Sequence, residues 1–229
     1  MAEPPPPAAF YASPRGIVAR GLVRDRLMQA WPSCAGMTLL GLGHAAPYLD
    51  AWPTARLTIA AGSPPADPWP PGARNRAAVV EDDALPFPDL SIDRIVLVHA
   101  LETTESARRL LREVWRVLRD DGLLLIVAPN RVGVWAHSDS TPFGQGQPYS
   151  QGQIGRLLTA SLFQVVWRDG ALYVPPAACT PRVARVWERA GRRVLPHLPG
   201  VTITGAGKDL YAGLPLYPVR RRAVVLARR

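Results

Sequence analysis

Two short apolar runs separated by a helix-patterned segment constrain this chain more than any other feature. Ser91 to Val98 is largely apolar and rich in β-branched residues, and Leu123-Leu124-Leu125-Ile126-Val127-Ala128 is wholly apolar. Between them, Thr104 to Arg119 places Ala107, Leu110, Leu111, Val114 and Leu118 on one helical stripe, while Arg108, Arg112, Glu113 and Arg116 fall largely elsewhere. Thr103 or Thr104 is the expected cap at its start, and Gly122 the expected left-handed residue beyond its end. Strands that read as nearly unbroken apolar runs are buried on both faces, and a crossing helix joins parallel neighbours. A βαβ unit in a parallel sheet follows, with ligands expected at the carboxyl ends of the strands.

The rest of the chain fits around that unit. Met1 to Ala12 opens with Pro4-Pro5-Pro6-Pro7 and is expected to be a flexible tail. Ser13-Pro14 supplies an N-cap and a first-turn proline for a helix carrying Val18, Leu22, Leu27, Met28 and Trp31, with Arg15, Arg20, Arg24 and Arg26 as a solvated face. Strands are expected over Met37 to Leu42, Arg56 to Ala61 and Ala77 to Val80, with a long Pro- and Gly-rich connection from Ser63 to Asn75 that Trp69 pins to the core. Ser150 caps a helix over Gln151 to Ala160. Phe163 to Trp167 and Ala171 to Val174 read as strand and Pro181 to Val194 as helix. Val201 to Gly205 and Arg222 to Ala227 both read as strand, and either run suits an antiparallel place beside the sheet edge.

At 229 residues the chain is long enough for a single α/β domain, expected over residues 13–229. No apolar run is long enough to span a bilayer, and the N-terminus lacks a basic-then-apolar signal, so a cytoplasmic protein with no membrane association is expected. Cys34 and Cys179 read as buried reduced thiols. His44, His99, His137 and His197 are scattered, so the spacing suggests no metal site. The net charge of +9 comes almost wholly from arginine, since Lys208 is the only lysine. That bias, beside abundant Ala and Pro, points to a GC-rich bacterial genome, and without a recognition motif nucleic acid is not an expected partner. Oligomeric state is left open.

One combination of residues is more specific. Asp83-Ala84-Leu85-Pro86-Phe87-Pro88-Asp89, Asp93, His99-x-Leu101-Glu102, then Leu111-x-Glu113-x-x-Arg116-Val117-Leu118 and Gly122 resembles the middle of the class I S-adenosylmethionine-dependent methyltransferases of the small-molecule, methyltransferase type 11-like kind. The resemblance implies an α/β fold: a Rossmann-like three-layer sandwich around a mostly parallel seven-stranded sheet, the class I methyltransferase fold. It also implies S-adenosylmethionine as cofactor and methyl transfer to a small-molecule acceptor.

Carried onto this sequence, the resemblance assigns Gly41, Gly43, His44 and Ala45 to the place of the family's glycine-rich first motif. Gly41 stands where that motif has an acid, Ala45 where it has its second glycine and Pro47 where it has its third; Gly43 matches. No acid follows Ala61, where the family takes the ribose hydroxyls. Glu81 falls at the acid that accepts from the adenine amino group, with Asp82 beside it. His99, just past a strand, faces the cofactor's methionine half or the substrate and is the candidate base. Trp135 to Ser150 interleaves aromatic, amide and hydroxyl groups, and Arg131, Trp135, Phe143 and Tyr149 are the substrate-facing candidates. The departures from the first motif carry the alternative, a methyltransferase-fold binding or scaffold protein without turnover. A nicotinamide oxidoreductase needs Gly-x-Gly-x-x-Gly, and Gly41-Leu42-Gly43-His44-Ala45-Ala46 lacks the last glycine.

Overall fold

In a computed structural model, which describes residues 6–62 and 68–210, seven strands form one sheet: β1 Thr38–Gly43, β2 Leu57–Gly62, β3 Ala77–Val79, β4 Ile92–Val98, β5 Leu118–Pro129, β6 Phe163–Ala171 and β7 Val201–Lys208. Their order is β3-β2-β1-β4-β5-β7-β6. The first five run parallel, and β7 inserts antiparallel to both β5 and β6. The βαβ unit lies in a parallel part of the sheet as expected, and the whole has the Rossmann-like, mostly parallel seven-stranded form that the resemblance implies. Of the two candidate last strands, Val201 onward is the inserted one, and 222–227 lies outside the described residues.

The unbroken apolar runs have a direct cause. Along β4 and β5 successive side chains enter opposite cores: Val96, Val98, Leu125 and Val127 join one, while Ile95, Leu97, Leu124 and Ile126 join the other. With a side-chain period of two, both faces of the sheet need apolar residues. Helices α1 Pro7–Ala12, α2 Pro14–Ala30 and α3 Ala46–Leu49 cover the first face; α4 Ala107–Val117 and α5 Gln151–Ala160 cover the second. A sixth helix, α6 Ala184–Val194, lies between β6 and β7 in sequence.

Ser13 caps α2 as expected, its Oγ accepting from Gly16 N–H at 3.0 Å. Ser150 caps α5 within a complete capping box with Gln153. Helix α4 departs at both ends. Ser106, not Thr103 or Thr104, caps it, and it stops at Val117, where Leu118 N–H closes on Val114 O. The chain passes directly into β5 through an irregularity in the β4–β5 register, and Gly122 is not left-handed. Gly122 is small for another reason: a β-carbon there would lie 2.6 Å from Leu118 Cδ1.

The residues that carry the family resemblance form a clamp. Arg116 donates to the carbonyls of Leu85 (2.7 Å) and Phe87 (2.9 Å), to Asp89 (2.7 Å) and to Glu113 (2.7 Å). Glu113 in turn accepts from Leu85 N–H at 3.0 Å. The Arg116 guanidinium holds the Glu113 carboxyl below its ordinary value. One forked cation thus fixes the loop that feeds β4 against α4.

The expected flexible tail needs correction over its second half. Residues 7–12 form α1 with Pro7 at its first turn, a position that tolerates proline because the N–H there is unused. Phe10 and Tyr11 are buried in the first core, which is what holds so short a helix.

Candidate active site

The carboxyl ends of β1 and β4 meet at Gly43. Its φ is 69°, and a β-carbon would lie 2.4 Å from Val98 O. No other residue type fits that turn. His44 N–H then donates to Val98 O at 2.7 Å, tying the loop after β1 to the tip of β4. Gly41 lies lower in the strand, where a β-carbon would meet Ala45 Cβ at 2.8 Å and Leu49 Cδ1 at 2.9 Å. Helix α3 occupies the space that an acidic side chain at position 41 would need.

A cavity of about 630 Å³ opens beside this turn, lined among others by Tyr11, Gly43, His44, Pro47, Gly62 and Trp69. That is within the ~300–1,000 Å³ of small-molecule sites. Pro47 and Trp69 stand in its walls and leave it open; Trp52 lies in the core instead, donating its Nε1–H to Trp31 O at 2.8 Å. Asp50 also lines the cavity, paired with Arg20 and, at 3.6 Å, with Arg24. Asp50 comes from the end of α3, whereas the resemblance implies an acid at the end of β2. Glu81 and Asp82 are not among the lining residues: Glu81 bridges to Ala84 in the turn after β3.

His99 follows β4 in the left-handed region, with φ of 52°. It is buried, and both ring nitrogens have partners. Tyr48 OH donates to Tyr11 OH at 2.9 Å. Tyr11 OH then donates its own proton to His99 Nε2 at 3.0 Å, which leaves Nδ1–H to donate to Glu102 Oε1 at 3.0 Å. This arrangement gives each of the three contacts one donor and one acceptor. Burial pushes the Tyr11 and Tyr48 hydroxyls well above their ordinary values, so both stay protonated. Glu102 Oε2 is buried with no hydrogen-bond partner among the described residues. Tyr11 also stacks on His44, ring centres 5.1 Å apart, and Phe143 lies 4.7 Å from the His99 ring. Tyr11 was not singled out from sequence, since nothing local ties position 11 to position 99, and Glu102 was named only as part of the string that carries the resemblance.

The candidate substrate loop is divided. Phe143 reaches His99 and Tyr11. Trp135 is fully buried, donating Nε1–H to Val174 O at 2.7 Å, and serves as core. Tyr149 is half-buried, its hydroxyl 3.3 Å from Leu101 O, and Arg131 is exposed. No cluster of metal-ligating side chains occurs among the described residues.

Residues 41–126 match the family model described as a methyltransferase domain. Two Mycobacterium tuberculosis proteins named as probable S-adenosylmethionine-dependent methyltransferases are 44% identical over 48 residues; the match covers 21% of this chain and 18% of either relative. Among solved structures, an S-adenosylmethionine-dependent methyltransferase from Thermotoga maritima is similar at a TM-score of 0.61 and 11% identity, covering 88% of this chain and 94% of that one. Another, from Archaeoglobus fulgidus, is similar at 0.60 and 17% identity, covering 88% and 99%. S-adenosylmethionine is the cofactor named for these relatives and solved structures.

The site accommodates that group unevenly. The cavity beside Gly43 is large enough for a small molecule and has the Asp50 carboxylate in its wall, while Tyr11 fills the gap between His44 and His99. With α1 docked, the Tyr11 ring stands between the cavity and His99. Strand order gives this chain the fold of these methyltransferases, and residues 41–126 resemble a methyltransferase domain.

Proposed function

We propose that the chain is an S-adenosylmethionine-dependent methyltransferase acting on a small-molecule acceptor. The observation that carries this reading is the open cavity at the carboxyl ends of β1 and β2, set against Gly43 in a sheet of the family's strand order. When bound, the cofactor supplies an electrophilic methyl group on a positively charged sulfur. Gly43 and His44 let backbone approach the ligand closely, Asp50 accepts from it, and Trp69 walls the cavity. Phe143, buried against the His99 ring, excludes water from the acceptor's side. With Tyr11 withdrawn, His99 Nε2 is free to take the acceptor's proton, while Glu102 holds Nδ1–H and stabilises the imidazolium that results. Buried, unpaired Cys34 and Cys179 suit a reducing bacterial cytoplasm as the setting.

Isothermal titration of the full chain with S-adenosylmethionine and S-adenosylhomocysteine tests the reading, with saturable binding expected below about 1 mM. Absence of binding by both in folded protein overturns it and favours the alternative, a binding or scaffold protein without turnover. That alternative draws on Tyr11, which leaves His99 no free ring nitrogen while α1 stays docked.

A further inference from the structure

Helix α6 is attached to the body the wrong way round for an ordinary amphipathic helix. Such a helix buries its apolar stripe and shows its charges to water. Here the buried residues are Ala184 and Glu188. The Glu188 carboxylate accepts Leu172 N–H at 3.0 Å and Tyr173 N–H at 2.8 Å, so a polar bolt holds the helix. At 100° per residue the surface that remains divides in two. One sector carries Val186, Trp187, Ala190 and Val194, of which Val186 is 65% exposed, Trp187 48% and Val194 73%. The other carries Arg185, Arg189, Arg192 and Arg193, all exposed. Arg192 pairs with Asp169 at 3.0 Å, and the other three have no ion-pair partner among the described residues. Leu195 and Leu198, just beyond the helix, are exposed as well.

We propose that this face docks on a membrane surface of anionic phospholipid, with the Trp187 sector entering the boundary between headgroups and acyl chains and the arginines meeting headgroup phosphates. Charge complementarity selects this occupant. The only acid within α6 is spent on backbone N–H groups inside the protein, so the solvent side of the helix is uniformly positive, in a chain of net charge +9. Apolar and arginine sectors side by side on one helix suit an interfacial helix. A second copy pairing through the same face across a two-fold axis would set arginine against arginine. A nucleic acid would use the arginines and leave Val186, Trp187 and Val194 in water. The expectation of no membrane association, drawn from the absence of a spanning run, concerns crossing and not resting on a surface; among the described residues no helix is long and apolar enough to cross.

Sedimentation of the full chain with vesicles of phosphatidylcholine alone, and with phosphatidylglycerol added, tests this. Partitioning at least about tenfold greater onto the anionic vesicles is expected, weakening as salt rises. Trp187→Ser should lower it about fivefold at fixed charge, and Arg185→Glu with Arg189→Glu should abolish the anionic preference. All three side chains are exposed, and Val186→Ser provides a second apolar test at another position. Equal partitioning onto neutral and anionic vesicles, or none, overturns the proposal. So does a concentration-dependent dimer that Trp187→Ser dissolves, or binding to RNA that the glutamates abolish and Trp187→Ser leaves intact.

Discussion

Replacing Tyr11 with phenylalanine separates the role of α1 from the bulk of the core. The ring and its stack on His44 remain, while the hydroxyl between Tyr48 and His99 is lost. Tyr48 OH and His99 Nε2 then sit buried without partners, and each such group costs about 1–3 kcal/mol, so the docked state loses about 2–6 kcal/mol in all. In a chain of this size about 1 kcal/mol moves the thermal midpoint by about 2–4 °C, which gives a fall of about 4–24 °C if the whole fold feels the loss. The second readout is S-adenosylhomocysteine affinity. A ligand that needs α1 undocked binds with an apparent constant weakened by the docked population, and 1.4 kcal/mol of that penalty is worth tenfold. Weakening the docked state by about 2 kcal/mol therefore tightens apparent affinity by up to about 30-fold. Calorimetric titration beside thermal melts reads both quantities. A lowered midpoint with unchanged or weaker affinity refutes the reasoning, because Tyr11 would then be plain core or a direct ligand contact.

Two further predictions concern stability. Arg116→Ala removes the donors to Leu85 O and Phe87 O and releases Glu113; with the guanidinium side chain 33% exposed, a loss of about 2–4 kcal/mol is expected in urea unfolding, and lysine, with no fork, should recover less than half. Glu188 has its carboxyl raised above the ordinary 4.5, first by burial, against the pull of the Tyr173 and Leu172 N–H groups. A raised acid binds its proton more tightly folded than unfolded, so its contribution is fully present below 4.5 and is lost as pH rises through the folded value. The stability of Glu188→Gln relative to wild type should therefore rise between about pH 4 and pH 7 in urea titrations, and a flat difference would contradict the shift.

The sheet was readable because its central strands are buried on both sides. Leu124 to Val127 alternate between two apolar cores, so the run shows no polar member that a one-faced strand would need. Helix ends were less readable, since Gly122 has the composition of a cap and the geometry of a close contact with Leu118. Helix α1 was hidden by the prolines before it, because only tertiary burial of Phe10 and Tyr11 stabilises six residues as helix. At the site, Gly43 and His99 lay at strand tips and were legible for that reason. The chain Tyr48–Tyr11–His99–Glu102 was not, since it joins residues 88 positions apart. Trp135 illustrates the opposite error of inference: an aromatic in a polar loop looked ligand-facing, while its indole N–H was already committed to Val174 O.

The Arg116 clamp has a bearing on how kinship among such chains is detected. The residues that carry the resemblance here are scaffolding: Leu85, Phe87, Asp89, Glu113 and Arg116 bind one another and not the cavity. Residues lining the cavity can therefore change without disturbing the clamp that carries the resemblance. Ancestry and present chemistry are written in different parts of the same domain.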